Sequence, residues 1–246
     1  YQKLVLQTIM SNLTKQGKFI VIDGGDGSGK ATQTDLMFKR LSKEKIKVKK
    51  IDFPQYQENF FGQLIRECLD GKYGDFLAMP PKIASVLYAS DRWETSAQIK
   101  KWLAEGYVVM ADRYASANQI HQGGKIYDQA TRKRFLTWLD KMEFGVFKIP
   151  RPDMILYLHV PVAISQSLLA NRAAENKKTK SGRAKKDLAE SNIKHLEDSQ
   201  ASAIDIVRKN NAWIRIDCAK SGQILPREEI HEMIYGVIKA KIKINN

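Results

Sequence analysis

Short apolar blocks alternate along this chain with longer stretches in which apolar residues recur at helical spacing. The blocks lie at 18–23 ("KFIVID"), 47–53, 107–112, 154–160 and 213–217, each the length of a strand. Helical spacing fills 29–43, 60–70, 82–104, 114–122, 128–141, 161–174, 187–209 and 226–241. This alternation predicts an α/β fold, a parallel sheet covered by helices on both faces. Such sheets bind ligands beyond the carboxyl ends of their strands. The chemically loaded motifs of this sequence fall at those ends.

Composition narrows the class without deciding it. The 246 residues suffice for one sizeable α/β domain, and a 43% hydrophobic content is ordinary for a globular protein. No apolar run approaches the ~18 residues of a membrane span, and no membrane partner is expected. Residues 1–16 lack both an initiator Met and a signal-peptide core, so they are expected to be an extension or a cloning remnant ahead of one domain over 17–246. The two cysteines, Cys68 and Cys218, have neither framework nor metal spacing, which suits a reducing cytosol. The net charge of +14 is concentrated at 38–50 and 176–186, a balance suited to phosphate-bearing partners. The first block reads as solvated helix surface. The second lacks apolar periodicity and reads as a mobile basic loop.

The strongest motif is "GGDGSGKAT", Gly24 to Thr32, directly after the first strand. Gly24, Gly25, Gly27 and Gly29 permit close backbone approach. Their N–H groups, with those of Asp26 and Ser28 and the start of the next helix, form an anion nest, and Lys30 adds a charge for outer phosphates. The usual motif continues Lys-Ser/Thr, the hydroxyl ligating Mg²⁺; here Ala31 stands in that slot and Thr32 follows. The third strand ends in "ADRY", placing Asp112 to hold Mg²⁺ and Arg113 to clamp a second phosphate. In "ASVLYASDRWE", Ser85, Tyr88 and Arg92 share a helix face. They suit either base recognition or a buried Tyr beside a snorkelling Arg. "DFPQY" ends the second strand and turns beside the loop, bringing Phe53 and Tyr56 near it. Arg172 closes one helix and Arg183 sits in the basic loop, which could fold over a phosphoryl group and exclude water. None of His121, His159, His195 and His231 falls in a metal-binding pattern, and His159 reads as a satisfied strand residue.

In this order, "DGGDGSGKATQ", "DFPQY", "FFGQLIRECLDG", "YASDRWE", "ADRYASANQIHQGG", "PDMILYLHVP" and the pair Asp187 and Glu190 resemble the thymidylate kinase family of P-loop nucleoside monophosphate kinases, over roughly residues 17–240. The resemblance implies a five-stranded parallel sheet with a lid at about 174–187. It implies phosphoryl transfer from ATP to dTMP with Mg²⁺, for dTTP synthesis, in a cytosolic homodimer with no nucleic-acid partner. Asp26 would bond the deoxyribose hydroxyl, Tyr88 would stack on thymine and Arg92 would meet the base edge or phosphate. Arg113 would hold the dTMP phosphate, Asn118 and Gln119 would lie near the base, and Arg183 would be the lid's catalytic Arg with Arg172 at its hinge. Gln55 and Tyr56 stand where some relatives carry Arg. The alternatives are a kinase for another nucleoside monophosphate or a deoxynucleoside, a non-catalytic nucleotide-binding protein, and a nucleic-acid binder suggested by charge alone.

Overall fold

The computed structural model describes residues 17–178 and 193–242, with backbone alone for 172–178 and 242. Residues 1–16, most of the expected lid, Arg183, Asp187 and Glu190 therefore lie outside the described residues, as does the Arg172 side chain.

Five parallel strands form one sheet: β1 (Lys18–Gly24), β2 (Val48–Asp52), β3 (Val108–Asp112), β4 (Met154–His159) and β5 (Trp213–Asp217), in the order β2-β3-β1-β4-β5. Each lies within a residue of its predicted bounds. The central strands β1, β3 and β4 read as apolar blocks because both of their faces are covered, whereas the edge strands β2 and β5 carry exposed polar residues. Phe19, Val21, Val109, Ala111 and Tyr157 face one core with Ile99, Tyr114 and Ile206. Ile20, Ile22, Met110 and Leu156 face the other with Met37, Leu41 and Ile234. The side-chain period of two thus loads a separate core on each side.

Helices α1 (Lys30–Lys43), α2 (Phe60–Leu69) and α3 (Pro81–Ala104) follow the first two strands. The predicted helix 114–122 is instead a single α turn, α4 (Ala115–Ala117), running into a π-helical segment at Asn118–Gln122. Likewise α5 (Gln129–Asp140) ends in a π-helical segment at Lys141–Val146. Helices α6 (Val162–Lys178), α7 (Ile193–Lys209) and α8 (Arg227–Ile242) complete the cover, with a small hairpin, β6 (Ala219–Lys220) and β7 (Gln223–Ile224), between β5 and α8. That hairpin and a short 3₁₀ turn at Phe76–Ala78 are too brief to leave a periodic trace.

Two carboxylates of α3 fasten the "DFPQY" turn. Asp91 accepts from the Gln55 amide at 3.2 Å and from Asn59 Nδ2 at 2.9 Å, and Glu94 accepts from the Phe60 and Phe61 amides at the start of α2. A Cβ on Gly62 would lie 2.0 Å from the Gln55 carbonyl oxygen, so only glycine lets α2 sit this close to the turn. Strand β1 pairs with β3 on one side and β4 on the other. The loop after β1 therefore opens at the sheet's topological switch point, where open α/β sheets take ligands.

Candidate active site

The glycine loop is shaped by neighbours on its inner side and by nothing on its outer side. A Cβ at Gly24 would lie 2.7 Å from the Leu158 carbonyl oxygen, and one at Gly27, with φ +76°, would lie 2.8 Å from that of Ser165. A Cβ on Gly25 or Gly29 would meet nothing within 4 Å. Gly29 caps α1 in the left-handed conformation, at φ 83°. No acidic residue occupies the first turn of α1, so the positive end of its dipole faces the loop uncompensated. Lys30 Nζ donates to the Gly25 carbonyl at 2.7 Å and lies 4.0 Å from Asp26. Its pKa is lowered by burial and by the neighbouring Arg113 charge.

Parallel register sets Ile22 beside Asp112, and the Arg113 amide donates to the Ile22 carbonyl at 3.0 Å. The end of β3 thus meets the loop. Arg113 adopts a left-handed φ of 63°, which swings its side chain onto Asp26, where Nη2 donates to Oδ1. Arg113 Nη1 lies 4.0 Å from Asp23 and 2.7 Å from His121 Nε2. An Arg only donates, so His121 Nε2 accepts and its Nδ1 carries the proton, 3.3 Å from Ser199 Oγ. Burial and the adjacent guanidinium hold the His121 pKa well below the usual histidine value. Burial would lower the Arg113 pKa, but Asp26, Asp23 and Asp112 raise it. Burial would likewise raise Asp26, but Arg113 and Lys30 hold its carboxyl far below the usual range. Asp23, fully buried, accepts from Ser116 Oγ and the Gly24 amide. Asp112 is raised by burial, and its Oδ1 is buried without a hydrogen-bond partner among the described residues.

A pocket opens beside this cluster. Asp26 and Arg113 lie at its loop end, Phe53, Tyr56 and Tyr88 form its walls, and Arg92 and Asn118 line it as well. Tyr88 packs on Phe76 with ring centroids 5.8 Å apart. Arg92 does not snorkel: it is 2% exposed, and its Nε and Nη2 donate to Glu143 at 2.8 and 2.6 Å. The pocket is thus lined by Asp26, Phe53, Tyr56, Tyr88, Arg92, Arg113 and Asn118 of the residues singled out in the sequence. Gln119 is not among its lining residues. In the π-helical segment Asn118 and Gln122 share the pocket side, while Gln119 Oε1 is buried without a partner among the described residues. His121, Lys125 and His195 also line the pocket and carry no local motif that would mark them. Nor is His159 a satisfied strand residue, because its Nδ1 is buried without a described partner and burial lowers its pKa.

A phosphate-cradling loop at the switch point, sharing its charged rim with a closed-in pocket for a second ligand, defines a P-loop phosphotransferase with two small substrates. A family model described as thymidylate kinase matches residues 22–234, and the chain belongs to that family. It is 33% identical over 158 residues to the thymidylate kinase of Plasmodium falciparum, covering 64% of this chain and 69% of that one. It is 29% identical over 167 residues to that of Mycobacterium tuberculosis, covering 68% and 75%. A solved thymidylate kinase structure from Candida albicans shares the fold, with a TM-score of 0.65 and 22% identity over 92% of each chain.

The Asp26 carboxylate makes a pH-dependent contribution to stability. Its folded pKa lies below the unfolded value of about 3.9, so that contribution is complete above about pH 5 and is lost as pH falls. Asp26→Asn is expected to lower unfolding free energy by about 1–3 kcal/mol at pH 7, the range for a charge-assisted bond. The gap from wild type should narrow at pH 3. Denaturant midpoints at the two pH values check this, and an equal gap at both would contradict it.

Proposed function

We propose that the protein transfers the γ-phosphoryl group of ATP to dTMP, giving ADP and dTDP for dTTP synthesis. The observation that carries this reading is the position of Arg113, bonded to the loop through Asp26 and lining the pocket. An acceptor seated in the pocket with its phosphate on Arg113 has that phosphate beside a donor held by the loop. In the reaction a dTMP phosphate oxygen bonds to the γ-phosphorus while the bond to the β–γ bridging oxygen breaks, and ADP leaves. Loop N–H groups, Lys30 and Arg113 offset the negative charge, so positioning and electrostatics supply most of the catalysis. Arg183, with Arg172 at the hinge, is proposed to add a further cation. Both side chains lie outside those described.

The base-reading end favours thymine. Asn118 Nδ2 donates to the Ser85 carbonyl at 3.1 Å and to Glu143 at 2.8 Å. Its Oδ1 is left as the acceptor for a base N3–H. Arg92, bound to Glu143 through Nε and Nη2, keeps Nη1 for a base carbonyl. Thymine presents that N3–H beside its O4 acceptor, and cytosine presents the reverse. Tyr88 supplies a ring for stacking, worth about 1–3 kcal/mol per base. An acceptor panel of dTMP, dUMP, dCMP, UMP, AMP and thymidine tests the assignment, which fails if dTMP is not among the preferred acceptors. Within that panel, Arg113→Ala should weaken dTMP by roughly 10- to 150-fold and ATP far less. Equal losses in separate titrations would remove Arg113 from the acceptor clamp.

Magnesium fits one place among the described residues. No group of three metal-ligating side chains occurs there, but Mg²⁺ commonly takes one or two carboxylates with substrate phosphates and water. The unpartnered buried Oδ1 of Asp112 is such a carboxylate. When bound, the ion would neutralise phosphate charge. Position 31 offers it no hydroxyl, and Thr34 Oγ1 donates to the Lys30 carbonyl at 2.9 Å. Asp112→Asn should therefore raise the Mg²⁺ requirement by tenfold or more, whereas Ala31→Ser should change kcat/KM by less than about tenfold, or ~1.4 kcal/mol. Magnesium titrations of the two variants check it. If Ala31→Ser restored activity to an inactive wild type, Ala31 would be a lesion.

The reading includes a homodimer in the cytosol, without nucleic-acid or membrane partners. No helix of the described residues is long and apolar enough to cross a membrane. Ile83, Val86 and Trp93 are exposed along one face of α3, with Phe60 and Val146 also exposed. Large apolar side chains exposed on one helix face suit association with another copy of the chain. Trp93→Glu should shift the protein toward monomer in sedimentation velocity at micromolar concentration. An unchanged mass would dismiss this face as the interface.

A further inference from the structure

Glu143 touches no part of the pocket, yet both groups proposed to read the base are fixed through it. It lies in the π-helical segment after α5, 1% exposed, behind the pocket wall. Its Oε2 accepts from Arg92 Nε at 2.8 Å. Its Oε1 accepts from Arg92 Nη2 at 2.6 Å and from Asn118 Nδ2 at 2.8 Å. The second acceptor of the Asn118 amide is a backbone carbonyl, that of Ser85. Neither partner can donate, so the amide has one orientation, with nitrogen inward and oxygen toward the pocket. The same carboxylate holds the guanidinium side-on, which fixes the direction of its remaining nitrogen.

We propose that Glu143 is a positioning residue that sets the hydrogen-bond polarity of the base site, acceptor from Asn118 beside donor from Arg92, and thereby selects a pyrimidine with N3–H and O4 over a 4-amino pyrimidine. This rests on the reading of the pocket as the acceptor-nucleotide site. A π-helical turn suits the role, because its wider spacing carries a side chain inward from a surface helix. The selecting property is that a carboxylate only accepts. A glutamine of the same shape can donate, which leaves the Ser85 carbonyl as the one partner that still holds the Asn118 nitrogen inward; Asn118 then turns its nitrogen to the pocket more readily, toward the N3 acceptor of cytosine.

The test compares Glu143→Gln with Glu143→Asp, using dTMP and dCMP as acceptors, with melting temperatures in parallel. The glutamine variant should raise the KM for dTMP at least tenfold, as expected for loss of one charge-assisted bond. It should leave the KM for ATP within about twofold and lower the dTMP-to-dCMP ratio of kcat/KM at least tenfold, by the same reasoning. The aspartate variant keeps the acceptor-only character but retracts it. Its selectivity ratio should stay within about threefold of wild type while the dTMP KM rises. An unchanged ratio in Glu143→Gln, with only the melting temperature lowered, would make Glu143 structural and overturn the proposal. So would equal loss of selectivity in both variants. Should the glutamine variant not fold, the aspartate variant decides alone, and a wild-type dTMP KM there overturns the proposal. A wild-type enzyme with no preference for dTMP over dCMP would fail differently, removing the pocket assignment itself.

Discussion

The guanidinium of Arg113 is the charge around which this end of the molecule is organised. A buried cation is costly unless its partners are close and well placed. Here Asp23 comes from β1, Asp26 from the glycine loop and Asp112 from β3, and His121 accepts a further bond. Satisfying one side chain therefore requires that β1 and β3 stay in register and that the loop closes over them. It also requires that the π-helical segment bring His121 inward. The left-handed φ of Arg113 is a local cost met by this shared demand. The same grouping makes the phosphate site, so stability and binding draw on one set of contacts.

A second buried pair governs the far end of the pocket by a different logic. Arg92 and Glu143 have no solvent to share, and their side-on geometry satisfies the carboxylate and one edge of the guanidinium. Asn118 joins them as a neutral member whose orientation the charged pair dictates. One end of the pocket thus presents positive charge suited to phosphate, and the other a fixed donor and acceptor suited to a base edge.

The sheet was legible because its three central strands are buried on both faces and leave apolar blocks, and the loop because its glycines are close together in the chain. Residues whose roles depend on distant partners were not legible. Arg92 and Glu143 are 51 positions apart, and no spacing rule links them. Arg92 alone on a helix looks like a snorkelling side chain, since lone arginines rarely bury. The π-helical segments were invisible for a related reason. Helical spacing gives no sign of a wide turn at Asn118–Gln122, where Gln122 and not Gln119 lines the pocket. His159 sits in a well-formed strand, and nothing local announces that its Nδ1 lacks a partner.

The close seat of α2 on the "DFPQY" turn depends on a missing atom. Phe53, Pro54 and Tyr56 of that turn line the pocket, whereas Gly62 does not. Because the helix rests directly on the Gln55 carbonyl, the wall has no slack behind it. The breadth of the acceptor site is therefore written partly in the smallness of a residue that no substrate meets. Enlarging that residue would act as a shim, pushing one wall relative to the other without altering a single group that a substrate touches. Lineages of this fold that differ in how large an acceptor they admit could differ at such supporting positions while every contact residue stays the same.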